Sequence, residues 1–405
     1  MFNRAYWCVL MSLIFSSLCA GPGCSPEPPS APLLVESFGE DPVTRGWTGE
    51  HGSSNRPAEW MADPQATAGQ AVTIHYPSTL LGPAFPVEPF AYYALHFRYR
   101  SSARGLVAML SRNDDGVRED VDAYDGYPPS ESWREEVRYF RPFAFSKSAQ
   151  LAFRAIGTDQ FLTLDSLQVN RASPEAVRAW MDEVYATMPP LSFEPPENRW
   201  THLESLKRRL SAPRAEPLRV LLLGDSIMND LGNSLFEVLL TDDYPRLQVE
   251  MIHSVRSASG SPYFRQPGKV DDYVLRYRPD VVLIGGTSHD HDLEAVRDVV
   301  RQIRDARPDI PLILLSGVFG HEDGIPQKVD EANQADCPET TFSRGLKRLA
   351  GEEQTGFWDL RTAFENHLAD HAIDYASLKR DQVHANTLGK QILARVMQAW
   401  YEWET

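Results

Sequence analysis

Residues 219–230 read RVLLLGDSIMND, and this stretch decides how the second half of the chain folds. Apart from Arg219, residues 218–223 are aliphatic on both alternating faces, as expected of a strand buried between two layers. Gly224 permits a tight turn, and Ser226 stands where a following helix begins. Helical spacing over 231–240, a strand over 248–252, apolar runs over 281–284 and 312–315, and a helical pattern over 293–306 continue the alternation. Such strands, joined by helical crossovers, imply a parallel sheet covered on both faces, with ligands held beyond the strands' carboxyl ends.

Upstream the pattern changes. From about Leu33 to Arg171, short strand-like runs alternate with Gly, Pro, Asn, Asp and Ser: 91–99 (AYYALHFRY), 106–110, 133–140, 151–155 and 161–169. Closely spaced strands without intervening helices predict an antiparallel β-sandwich over 33–171. Its Trp47, Trp60 and Trp133 are expected mostly in the core, because a sandwich of this size needs large apolar side chains. Ser173 and Pro174 can cap a helix running to about Met188, a Pro-rich break follows, and 201–210 suits a second helix. Residues 172–215 thus read as a helical connector, and 216–405 as the α/β domain.

The 405 residues favour two folded units, and the net charge of −16 without any dense basic run argues against a nucleic-acid partner. Arg4 followed by a largely apolar run from Trp7 to Cys19 resembles an export signal, too short to span a bilayer comfortably. The expected order is a signal over 1–24, a flexible tether over 25–32, then the sandwich. Small residues before Cys24 resemble a lipoprotein cleavage site, so membrane attachment is expected only through a lipidated Cys24, with plain secretion as the alternative. Cys8 and Cys19 fall inside the signal, which leaves Cys337 in the folded part and no thiolate set for zinc.

Two segments carry candidate chemistry. A helix start at Ser226 presents backbone N–H groups suited to an oxyanion, although this segment alone reads first as a plain helix cap at Asp225 or Ser226. About 155 residues later, Asp381 to Met397 reads DQVHANTLGKQILARVM. Asp381 and His384 lie three apart before an amphipathic helix, so one loop can aim both at a common point. A serine nucleophile needs a base, and that base needs a carboxylate to hold its tautomer and stabilise its cation.

Together the segments resemble the SGNH hydrolases, or GDSL esterases, through Gly224, Asp225, Ser226 and Ile227 in the first block and Asp381, His384, Asn386 and Gly389 in the last. The resemblance covers roughly 216–400. It implies a three-layer α/β/α fold with Ser226 as nucleophile, His384 as base and then acid, and Asp381 as the orienting carboxylate. It also implies an oxyanion hole formed by the Ser226 and Gly260 amides, where Gly260 lies in SVRSASGSPYF, residues 254–264. The family's third donor is an asparagine; GGTSHDHD, residues 285–292, places Ser288 there, with a shorter reach. Asp225 and His289 are candidate substrate contacts.

His289, Asp290, His291 and Asp292, with His321, Glu322 and Asp323 at the next strand end, also raise a metal site. Neighbours on an extended loop point alternately apart, so solvated loop residues or substrate contacts are the preferred reading and no metal or cofactor is expected. The triad beside an aromatic sandwich in an exported chain leads to an expectation of a carbohydrate esterase that removes short acyl groups from acylated glycans. The alternatives are a lipase, small-ester hydrolase or acyltransferase using the same triad, and a non-catalytic glycan-binding envelope protein with a degenerate hydrolase domain.

Overall fold

The computed structural model describes residues 31–50, 58–112, 121–211, 216–319 and 338–402. The expected signal with Cys24, most of the expected tether, His321, Glu322, Asp323 and Cys337 lie outside the described residues.

The N-terminal unit is two antiparallel sheets packed face to face, six strands in each among the described residues. At the centre of one sheet, Tyr92–Ser101 (β1) pairs with two further strands. In the other, Gly105–Arg112 (β2) lies between Ser148–Ala155 and an edge strand, Val121–Tyr127 (β3). The partners of β1 are Ser130–Phe140 (β4) and Phe161–Ala172 (β5), with His96 opposite both Val137 and Gln168. Alternation along β1 sends Tyr93, Leu95, Phe97 and Tyr99 into a core shared with Trp47, Phe153 and Leu164. Trp47 is buried and donates to Glu36 Oε2 at 3.0 Å. Trp60, in contrast, is 41% exposed, and Trp133 lies beneath the Arg98 and Arg100 guanidiniums.

After β5, Ser173 caps helix α1, Pro174–Tyr185, by accepting the Ala176 N–H at 3.3 Å. The connector continues through helix α2, Glu204–Ser211, and its Val177, Met181, Leu203, Leu206 and Leu210 belong to the core of the parallel sheet.

That sheet contains Leu218–Gly224 (β6), Val249–Val255 (β7), Val281–Ile284 (β8), Leu312–Leu315 (β9) and Gly356–Trp358 (β10). Its order is β7-β6-β8-β9-β10, all parallel. Every residue of β8 and β9 is buried, as a sheet covered on both faces requires. Among its helices are Ser226–Gly232 (α3), Leu293–Ala306 (α4) and Thr387–Tyr401 (α5). The chain leaves β6 for one side of the sheet and then crosses back to the other, so the crevice at the carboxyl end of β6 is a topological switch point.

One expected helix is broken. Instead of running over 231–240, α3 stops at Gly232, Leu235 adopts a left-handed φ of 60°, and two short turns follow. The sandwich causes part of this break, because Arg141, just beyond β4, donates to the Gly232 carbonyl at 3.1 Å. Arg141 also donates to the Met251 carbonyl at 2.9 Å and pairs with Glu237 at 3.0 Å. Phe143 and Ala144 of the sandwich enter the core of the parallel sheet.

Candidate active site

The switch point gathers three strand ends. Buried β6 delivers Ser226 to the surface as the one half-exposed residue between Val220 and Gly232. Asp225, extended at φ −97°, is the N-cap of α3 and accepts the Ile227 N–H at 2.9 Å. Its other oxygen reaches the loop after β8 and accepts the Thr287 N–H at 2.8 Å and the Ser288 N–H at 2.6 Å. Gly286 allows this approach: its φ is +104°, and a Cβ there would lie 2.4 Å from the Asp225 carboxylate.

The loop after β7 joins the same group. Gly260 runs so close to the backbone of Ser288 that a Cβ would sit 1.9 Å from the Ser288 carbonyl oxygen. His289 ties the next residues together: its Nδ1 lies 3.2 Å from the Ser261 N–H and 3.1 Å from the Ser261 hydroxyl. Accepting at Nδ1 leaves the ring proton on Nε2 and the imidazole neutral. Burial pushes the His289 pKa down, outweighing the attraction of the Asp225 carboxylate.

Asp225 and His289, expected to contact substrate, are therefore placed inside. They are 1% and 3% exposed and hold the loops together by internal hydrogen bonds. Ser288 lies between Asp225 and Gly260, with its backbone N–H already donated to the carboxylate.

The fourth component comes from the loop before α5. His384 Nε2 lies 2.8 Å from Ser226 Oγ. Its Nδ1 lies 2.9 Å from both oxygens of Asp381, and Oδ1 also accepts the Val383 and His384 N–H groups at 2.9 Å. Burial raises the Asp381 pKa, but the His384 hydrogen bond, the Val383 N–H and the charges of His384 and Arg380 together hold it well below the usual carboxylate range. The carboxylate thus stays ionised beside the imidazole. Asn386 caps α5 by accepting the Gly389 N–H at 3.0 Å, and its amide donates to the Ser377 carbonyl at 2.7 Å. Asn386 and Gly389 thus hold the loop in place.

The acidic and histidine cluster does not converge. His289 points inward, Asp290 and His291 are exposed, and Asp292 caps α4 by accepting the Ala295 N–H at 2.9 Å. Among the described residues no group of three or more His, Cys, Asp and Glu side chains could hold a metal ion.

Two participants escaped the sequence reading, Asp230 and Arg380, which pair at 2.5 Å behind the histidine loop. Asp230 could have been noticed as a charge in the buried helix face where apolar spacing predicts none.

No family model and no curated protein matches the sequence. Solved structures similar to the chain include a two-domain esterase active on acetylated mannans, co-crystallised with mannopentaose, at 16% identity and a TM-score of 0.39 over 50% of this chain and 52% of that one. The chain thus spans about half the length of that esterase. A GDSL-like lipase from Parabacteroides merdae is similar at 16% identity and a TM-score of 0.34 over 45% of this chain and 95% of that one. The CBM22-1 xylan-binding domain from Paenibacillus barcinonensis is similar at 16% identity and a TM-score of 0.29 over 35% of this chain and 97% of that one.

Proposed function

We propose that the chain is an exported serine esterase of the SGNH type that removes short acyl groups from acylated carbohydrate. The observation that carries this reading is the unbroken hydrogen-bonded series Ser226–His384–Asp381, with contacts of 2.8 and 2.9 Å, at the switch point of a parallel sheet.

In this reading Ser226 Oγ attacks the ester carbonyl while its proton passes to His384 Nε2. Ionised Asp381, hydrogen-bonded to Nδ1, stabilises the imidazolium that forms. Negative charge develops on the carbonyl oxygen, and the Ser226 and Gly260 backbone N–H groups, with the Ser288 hydroxyl, are the proposed donors to it. Collapse of the intermediate transfers the His384 proton to the departing sugar oxygen and leaves an acyl group on Ser226. Water then enters, gives its proton to His384 and attacks the acyl carbonyl; breakdown returns the proton to Ser226 and releases the acid. The preference for short acyl groups rests on the polar character of residues 254–265 and 320–337 in the sequence. The carbohydrate class rests on the sandwich docked beside the site, and the export assignment on residues 1–24.

The test is turnover of acetate and octanoate esters by the wild type and by Ser226→Ala. Acetate turnover is expected to exceed octanoate turnover, and the variant is expected to lose nearly all activity. A variant that hydrolyses acetate esters at the wild-type rate removes Ser226 from the mechanism.

A further inference from the structure

His384 must meet Ser226 although 158 residues separate them, and the groups that bring them together lie outside the triad. The loop from Lys379 to Asn386 is pinned at its base: Asn386 N–H donates to the Leu378 carbonyl at 2.8 Å, and Arg380 N–H to the His384 carbonyl at 3.0 Å. Asp230 sits four residues beyond Ser226 on α3, one helical turn away, and is 0% exposed. One of its oxygens takes the Arg380 guanidinium at 2.5 Å, and the other accepts the Ala385 N–H at 2.9 Å. The same guanidinium donates to the Ala385 carbonyl at 2.9 Å, and its Nε lies 3.7 Å from Asp381. A single carboxylate on the nucleophile's helix therefore grips the loop on both sides of His384.

The sandwich closes this arrangement from behind. Arg380 lies over the Tyr124 ring of β3, 5.8 Å from its centroid, and Arg104 donates to the Lys379 carbonyl at 2.9 Å. Asp125 accepts the Thr387 hydroxyl at 2.9 Å and lies 3.3 Å from the Lys390 ammonium, both on α5. Asp125, Arg138, Asp230, Arg380 and Lys390 are all buried. Buried ion pairs are weak sources of net stability but costly to break singly, which suits them to fixing geometry.

We propose that Asp230, acting through Arg380, is the positioning residue that sets the His384–Ser226 distance, and that strand β3 of the sandwich completes this support through Asp125. The proposal rests on the serine-esterase reading. Asp230 and Arg380 touch no reacting atom, so their removal should act on the rate of chemistry and not on substrate binding; a displacement of about 1 Å at a reacting group is worth roughly a hundredfold.

The experiment measures kcat and KM for an acetate ester, per active site titrated with a serine-directed phosphonate, in Asp230→Asn, Arg380→Gln, Arg380→Lys and Thr387→Val. Asp230→Asn and Arg380→Gln are expected to lower kcat about a hundredfold with KM nearly unchanged. Arg380→Lys, which keeps the pair with Asp230, is expected to recover most of that loss. Thr387→Val, which removes only a hydroxyl tie to Asp125, is expected to lower kcat about threefold. Folded Asp230→Asn or Arg380→Gln protein with wild-type kcat, or a loss confined to KM, overturns the proposal. If those two variants fail to fold, an unchanged kcat in Thr387→Val overturns it. A wild type that neither hydrolyses esters nor takes up the phosphonate points instead to failure of the esterase reading.

Discussion

Ser226 and His384 stand 2.8 Å apart, yet they are mounted on opposite plans. The serine is carried by one continuous segment of strand, turn and helix, and its neighbour Asp225 binds the adjoining loop through the Thr287 and Ser288 amides. The histidine loop is held from a distance, by Asp230 lying 150 residues before Arg380 and by Asp125 lying 262 residues before Thr387. The proposed nucleophile is thus carried by a dozen consecutive residues, whereas the proposed base depends on ties to distant parts of both folded units. The two mounts should therefore fail differently.

The largest effect is expected from the histidine side. Asp381→Asn removes the acceptor that fixes the tautomer and should lower kcat about 10,000-fold, as read from steady-state ester hydrolysis. A loss below about tenfold would mean that the loop's other ties orient the imidazole unaided, and the contrast between mounts would collapse.

A smaller effect is expected from the serine side. Asp225→Ala strips the Ile227, Thr287 and Ser288 N–H groups of their shared acceptor. Loosening of the loop beside the reacting carbonyl should cost about a hundredfold in kcat. The unsatisfied amides should lower stability by about 1–3 kcal/mol, measurable by urea unfolding. Unchanged kcat would show that strand β6 and helix α3 hold the serine side without its carboxylate.

The smallest effect concerns acid. His289 on the serine side has a depressed pKa, so below about pH 6.5 the unfolded chain binds a proton that the native one refuses, and stability falls as the pH drops. Asp381 also has a depressed pKa, but as an acid: its contribution is complete above the ordinary carboxylate value near 3.9 and is lost only as the pH falls through that value and lower. Buried His367, lowered to about 4 by burial and by His371, adds to the earlier phase. In urea unfolding across pH, His289→Gln should reduce the loss that sets in below about pH 6.5, leaving the loss tied to Asp381 at lower pH in place. An unaltered upper phase would show that another group dominates it.

What could be read from the sequence follows the same division. Residues 281–284 and 312–315 were expected as strands and are strands, because unbroken aliphatic runs of that length leave few alternatives. The meeting of Ser226 with His384 could be anticipated from two short motifs. Asp225 and His289 read as candidate substrate contacts because composition does not reveal which face of a loop turns inward; in the fold both turn inward to satisfy backbone amides. The helix expected over 231–240 fails where Arg141 of the other unit captures its terminal carbonyl, a contact 91 residues long. Asp230 is a charge out of place on a buried helix face, and only the docked loop shows which cation and which amide it serves.

Arg141, Phe143 and Ala144 give the sandwich a plug that fits a socket in its neighbour. Enzymes with appended modules are often treated as kits whose parts can be exchanged. A foreign module grafted at residue 173 would bring no such plug and would leave Lys390 facing a wall without its carboxylate. A swap of one unit that keeps these ties therefore needs matched changes on both sides of the seam, at Arg141 with Glu237 and at Asp125 with Lys390.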